Sequence, residues 1–327
     1  NESQERIGVV MKDENIALLK RISDRERAPM YVVGEATGDH QFTFISADKE
    51  RPIDLQLEDF FGNPPKTVMQ DETVTERFRP LEYDIENLAE YLDNVVQLEA
   101  VACKDWLTNK VDRSVTGLVA KQQTCGEIQL PLNNLAVASP DYVGFRGIAT
   151  AIGHAPASGI INAAHGSILS IAEALTNIIW APLEDGIRGV SLSANWMWPC
   201  RKPGEDARLY LAVKAASDFA ISLGINIPTG KDSLSMTQKY KDGSEVFSPG
   251  TVIISAAAEV TDFRKVVEPV VSDQPDTNLI YIDLSGDDFK LGGSSFAQSL
   301  NYLGNETPVV RDPAYFVIVF ETIQQLI

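Results

Sequence analysis

In Glu173-Ala174-Leu175-Thr176-Asn177 a carboxylate and an amide stand at i and i+4, so a helix would present both on one face. Hard cations such as Mg²⁺ take oxygens of this kind and complete their shell with water and phosphate. A solvated helix face is the competing account of the same spacing. A second segment, Gly230-Lys231-Asp232-Ser233-Leu234-Ser235, follows Ile227-Pro228 and is expected on a loop. It departs from the Walker A pattern, because no glycine stands five residues before Gly230 and Lys231 is followed by an aspartate. Asp232 could still ligate a cation, and Lys231 could meet phosphate as a point charge. A polar turn is the alternative.

Other segments carry weaker chemistry. Asp112-Arg113-Ser114-Val115-Thr116-Gly117, with Gln122-Gln123 behind it, has small residues that let a phosphate approach the backbone; by composition it is equally a β-turn. Asn195 could fix a ligand, while Trp196 and Trp198 read as packing residues. Gly292-Gly293-Ser294 opens a helix and suits either an anion or simple capping. His40, His154 and His165 lie in unlike contexts. There is no HExxH, GxSxG or His/Cys zinc spacing, and no elbow glycines flank Cys103, Cys125 or Cys200, which argues against a thiol nucleophile.

The elements that would position these groups follow from periodicity and caps. Residues 1–83 read as mixed α/β. Ile7–Met11 has a strand pattern, and Ile16, Leu18, Leu19 and Ile22 mark a helix. Met30–Val33 and Phe42–Ile45 suggest a hairpin across Gly38-Asp39, and residues 66–83 suggest a linker. Residues 84–265 carry the densest signal. Asp84 is a candidate N-cap, and strands are expected near 117–120, 135–138, 189–193 and 251–255. Helices are expected from Asn162 or Gly166 to Trp180 and from Glu205 to a stop at Gly224. Residues 266–327 offer a strand at Leu279–Leu284 and a glycine-rich loop, and look like the start of a further domain. The fold class is α/β (α+β).

With 327 residues, 46 acidic and 28 basic, the chain carries a formal charge of −18. That balance argues against nucleic acid or an anionic membrane as the main partner, while leaving room for a phosphorylated ligand in a local pocket. Three scattered cysteines form no disulfide framework, so a reducing, cytoplasmic setting is expected. No apolar run approaches the ~20 residues of a membrane span. The start at Asn1 and the stop at Ile327 suggest a piece of a longer chain.

Nine segments occur in an order that carries a resemblance: Ser3-Gln4-Glu5-Arg6, Arg27-Ala28-Pro29, Val33-Gly34-Glu35-Ala36-Thr37, Pro64-Pro65-Lys66, Asp112–Ala120, Glu173–Asn177, Ser193-Ala194-Asn195-Trp196-Met197, Pro203-Gly204-Glu205-Asp206 and Gly230-Lys231-Asp232-Ser233. Together they resemble the phosphoribosylformylglycinamidine synthase family in its long single-chain form. The resemblance implies two fused AIR-synthase-like units and a glutaminase domain. Of these the chain would hold the end of the first C-terminal domain (1–83), the second N-terminal domain (84–265) and the truncated start of the second C-terminal domain (266–327).

It implies an ATP-dependent ligase of purine biosynthesis that converts formylglycinamide ribonucleotide to formylglycinamidine ribonucleotide. The substrate's amide oxygen is phosphorylated, and glutamine-derived ammonia displaces the phosphate. By the same resemblance Glu173, Asn177 and Asp232 match magnesium ligands. Asn134 stands where relatives often carry aspartate, and Asn133, Lys231 and Ser233 lie around the nucleotide. In the long form this second-half site is expected to hold ADP–Mg²⁺ structurally, with the chemistry at the first-half site near Ser3–Arg6. Cys125 would not be the glutaminase nucleophile, which lies in another domain. The implied partners are a phosphorylated ribonucleotide and ATP, the remaining synthase and glutaminase domains, and, for this piece alone, a second copy pairing through an exposed sheet edge. Two functions stand side by side: part of a catalytic amidoligase, or a nucleotide-holding structural module. A kinase or synthetase of the same superfamily acting on another substrate fits the Asp112–Ala120 and Ser193–Met197 segments less well.

Overall fold

The computed structural model describes residues 6–62, 65–108 and 118–327. Ser3–Glu5, Pro64 and Asp112–Gly117, which carry parts of the motifs above, lie outside the described residues. The chain divides into two compact units, residues 1–68 and 69–327.

The first unit holds α1 (Asp13–Arg25), β1 (Gln41–Phe44), β2 (Ile53–Gln56) and α2 (Leu57–Phe61). α1 covers the helical spacing of Ile16–Ile22, with Asp13 and Glu14 in its first turn, where the helix dipole favours anions. The expected hairpin is corrected: β1 pairs with β2, not with Met30–Val33. Two turns decide this. Asp39 accepts bonds from Thr37 Oγ1 and Gln41 N and so starts β1, and a tight turn closed by Ser46 and Glu50 returns the chain to β2. Ile7–Met11 forms no strand and stays largely exposed.

The second unit is built on a six-stranded sheet. It begins with α3 (Leu88–Val96), α4 (Asp105–Thr108), β3 (Val119–Lys121), β4 (Ala136–Ala138), β5 (Gly147–His154), α5 (Pro156–Ile161), α6 (Ala163–Ile178), β6 (Ser191–Met197) and α7 (Glu205–Leu223). It continues through β7 (Asn226–Ser233), β8 (Thr237–Lys239), β9 (Glu245–Phe247), β10 (Thr251–Val260), α8 (Ser295–Ser299) and α9 (Pro313–Leu326). The strand order is β3-β4-β5-β10-β6-β7, antiparallel except for the parallel β6–β7 pair. β8 and β9 form a separate hairpin.

One face of the sheet carries the core. Ala149 and Ala151 of β5, Val252, Ile254, Ala256 and Val260 of β10, and Leu192 and Ala194 of β6 are buried with Ile171, Ala174, Leu175 and Ile178 of α6. The alternate residues Ile148, Ile152, His154, Ser255 and Ala257 are exposed, so the second face is open. α9 adds Phe316 and Phe320 to the same core.

Two expectations are corrected here. Gly230–Ser233 belongs to strand β7 rather than to a loop: a Cβ on Gly230 would overlap the Ala194 carbonyl, and its absence lets β7 lie against β6. Leu279–Leu284 forms no strand; Leu279, Ile280 and Tyr281 are exposed, and no described strand pairs with them.

Residues 69–83 carry a strap. Asp71 accepts the amides of Gly204 (3.1 Å), Asp206 (3.1 Å) and Ala207 (3.3 Å), capping the 19-residue helix α7, which has no side-chain cap of its own. The backbone bonds, first that from Gly204, hold the Asp71 carboxyl below the usual carboxylate range. A depressed folded-state pKa contributes stability that is present above the ordinary carboxylate pKa and is lost as pH falls through the lower folded value. Asp71→Asn is therefore expected to lower the melting midpoint by a few degrees at pH 7 and to flatten its decline on acidification toward pH 3. An unchanged midpoint at pH 7 would show that the strap does not hold α7.

Candidate functional site

The site begins where two strands part. The β4–β5 ladder runs from the Ala138–Ile148 pair to the Ala136–Thr150 pair and stops. Beyond it the backbone groups of Ile152 and His154 have no partner on β4. α6 supplies partners instead. Asn177 Nδ2 donates to Ile152 O (2.9 Å), and Glu173 Oε2 accepts from His154 N (2.6 Å). α6 comes this close because residue 153 is glycine: a Cβ there would overlap Ser170 O and Ala174 N. Asn162 caps α6 by accepting from His165 N (3.1 Å).

These bonds orient the pair expected from spacing. With Nδ2 committed, the Asn177 side chain has Oδ1 left as an acceptor, and Glu173 keeps Oε1. Among the described residues no hydrogen bond reaches either atom. Continuing the β4–β5 register by two residues sets Asn134, which is exposed, level with Ile152. The neighbouring Asn133 is turned away, with its N bonded to Gln123 O (2.8 Å) and its Nδ2 to Gln122 O (2.6 Å). The fold thus brings Glu173 and Asn177 to one notch at the end of β5.

Asp232 does not stand with them. It lies on β7, and β10 and β6 separate β7 from β5, which is about 14 Å of sheet at the usual strand spacing. The registers set His154, Ile253, Asn195 and Lys231 in one row across the sheet. Lys231 and Ser233 share the open face of that row, with Lys231 Nζ 2.6 Å from Ser233 Oγ. Asp232, paired with Trp196, alternates to the other face.

Two further features belong to this face, of which the sequence singles out only Asn195 as able to fix a ligand. Asn195 Oδ1 is buried in mid-row without a partner. The His154 ring lies beside Glu173, with Nδ1 3.9 Å from Oε2. Alternation along β5 and the i,i+4 pair on α6 were both in the sequence, but the register that joins them was not.

Among the described residues no group of three or more His, Cys, Asp or Glu could hold a metal. The notch offers one carboxylate and one amide oxygen instead, donors that suit a hard cation drawing its remaining ligands from water and phosphate. Two of the three thiols are unsuited to act as nucleophiles. Burial, then Asp206, pushes the Cys200 thiol up to about 12, and burial also raises Cys125.

Residues 103–259 match the FGAR-AT PurM_N-like domain model. The whole chain is 38% identical over 341 residues to a phosphoribosylformylglycinamidine synthase of Dictyostelium discoideum and spans about a quarter (25%) of that relative. Among solved structures it is similar to PurLQS from Thermotoga maritima (TM-score 0.55, 14% identity, 80% of this chain and 39% of that one). It is also similar to Thermotoga maritima PurL complexed with ATP (TM-score 0.50, 14% identity, 80% and 38%). At that identity the two structures support the AIR-synthase-like α/β fold alone. No described helix is long and apolar enough to cross a membrane.

Proposed function

Because the chain belongs to the phosphoribosylformylglycinamidine synthase family, we propose that it is the part of an ATP-dependent, glutamine-using amidoligase of cytoplasmic purine biosynthesis that holds a magnesium nucleotide on its sheet. The observation that carries this reading is the notch at the end of β5, where two backbone bonds fix Glu173 and Asn177 and leave one oxygen of each unbonded. Glu173 and Asn177, with Asn134, would hold the cation; Mg²⁺ there would neutralise the charge of a di- or triphosphate. The nucleotide would lie across the open face toward β7. Lys231 would offer a point charge and Ser233 a hydroxyl, and the backbone near Asn133 would line the near end. The strand order supports leaving Asp232 outside the cation shell.

The nucleotide is either held or turned over. Holding is favoured by the donor set: one carboxylate and two amides bring less charge to the cation than a shell rich in carboxylates. The open face, with Ile148 and Ile152, would then meet a counterpart sheet domain of the same parent enzyme.

The test is thermal melting with ADP, with and without Mg²⁺. The wild-type chain should gain several degrees only when both are present. Glu173→Gln should abolish that gain, whereas Asp232→Ala should keep it. A gain that survives Glu173→Gln would remove the notch from the site. Under ATP, ammonium and formylglycinamide ribonucleotide, the chain by itself should release no product; measured synthesis would move the reading from holding to turnover.

A further inference from the structure

We infer that His154 is an additional ligand of the cation at the β5 notch, and that it tilts the site from Mg²⁺ toward divalent ions that accept imidazole, such as Mn²⁺ and Co²⁺. The inference rests on reading the notch as a cation site. Nothing in the Glu/Asn spacing assigns His154 a role, and the fold explains it poorly as a packing residue: its side chain is 55% exposed.

Geometry brings the ring to the site by two independent routes. Residue 154 is pinned by its own amide, which Glu173 Oε2 accepts at 2.6 Å, and by its pairing with Ile253 on β10. Alternation along β5 then turns the side chain to the open face, where a ligand would arrive. There His154 Nδ1 stands 3.9 Å from Glu173 Oε2. Two donors bound to one ion at about 2.0–2.2 Å lie roughly 3–3.5 Å apart, so a shift of well under 1 Å at the ring closes the pair if Oε2 turns its second lone pair to the ion while accepting His154 N. No described hydrogen bond commits either ring nitrogen.

The chemistry follows from the donors. Carboxylate and amide oxygens alone suit Mg²⁺, which is reluctant to exchange oxygen for nitrogen. Adding one imidazole makes a mixed nitrogen–oxygen set, which shifts preference from Mg²⁺ toward first-row transition ions, Co²⁺ more than Mn²⁺. Glu173 therefore serves both kinds of ion, whereas His154 serves only the second.

The experiment uses the metals alone on the full 327-residue chain. Mn²⁺ binding is followed by loss of the free-ion paramagnetic resonance signal, Co²⁺ by its visible spectrum, and Mg²⁺ by competition against Mn²⁺. The wild type is expected to bind Mn²⁺ more tightly than Mg²⁺. His154→Gln should weaken Mn²⁺ and Co²⁺ by about tenfold or more and shift the Co²⁺ spectrum, while Mg²⁺ changes by less than about twofold. Glu173→Gln should remove all three. An unaltered Mn²⁺-to-Mg²⁺ ratio and Co²⁺ spectrum in His154→Gln would overturn this inference and leave the notch reading intact. A wild-type chain that binds none of the three ions alone would likewise overturn this inference, whereas the notch reading is tested by the ADP–Mg²⁺ melting shift.

Discussion

Gly153→Ala is expected to cost the sheet unit about 3 kcal/mol or more and to remove every metal-dependent effect at the notch. The added Cβ would overlap Ser170 O and Ala174 N and would lie 3.0 Å from Glu173 Cβ. The first two obstacles are backbone atoms in the middle of α6, so no side-chain rotation relieves them. Either β5 bends or α6 lifts, and lifting α6 breaks the bonds from Asn177 to Ile152 and from His154 to Glu173. Stability and site are therefore lost together. Denaturant unfolding monitored by circular dichroism, with the ADP–Mg²⁺ melting shift measured on the same samples, checks both halves. Gly34→Ala is the control, since nothing lies within 4 Å of a Cβ there. A Gly153→Ala protein as stable as the control would refute the close approach.

Phe320→Ala is expected to destabilise the same unit by about 3–5 kcal/mol, or roughly 10 °C in melting midpoint, because the ring is completely buried and α9 is tied on both sides of it. Phe316 packs edge-on against Phe219 of α7, with ring centres 6.2 Å apart. Glu321 Oε1 accepts from Ile187 N (2.9 Å), and Gln324 Oε1 accepts from Leu183 N (2.8 Å). Gln324 Nε2 in turn donates to Ile179 O (2.6 Å) and Ala181 O (3.0 Å). Those last two carbonyls follow directly on α6, so α9 anchors the C-terminal end of the helix that carries Glu173 and Asn177. Cooperative unfolding that is indifferent to Phe320→Ala would mean that α9 is not part of the sheet's core. The result would also bear on where one domain ends, since α9 lies beyond residue 265, in the stretch whose sequence suggests a new domain.

Local features read directly from the chain. The Asp84 cap is present, with its side chain accepting from Glu86 N, as are the Asn162 start of α6, the Gly224 stop of α7 in left-handed conformation and the Ser294 cap of α8. Each depends on a few neighbouring residues and so survives any tertiary context. β5 was not anticipated: Gly-Ile-Ala-Thr-Ala-Ile-Gly-His alternates, but its inward residues are glycine and alanine, which carry little hydrophobic signal and matter because α6 presses on them. Gly230 reads as a loop residue for the same reason; what makes it a strand residue is the Ala194 carbonyl against it.

By itself the sequence determined the α/β class, the helix termini, the i,i+4 presentation of Glu173 and Asn177, and the family likeness, all of which are set by residue type and short spacing. Tertiary structure alone decided which oxygens gather. Strand order, fixed by long-range pairing that no local spacing encodes, set Glu173 and Asn177 against the end of β5, sent Asp232 three strands away, and turned His154 toward a carboxylate 19 residues away.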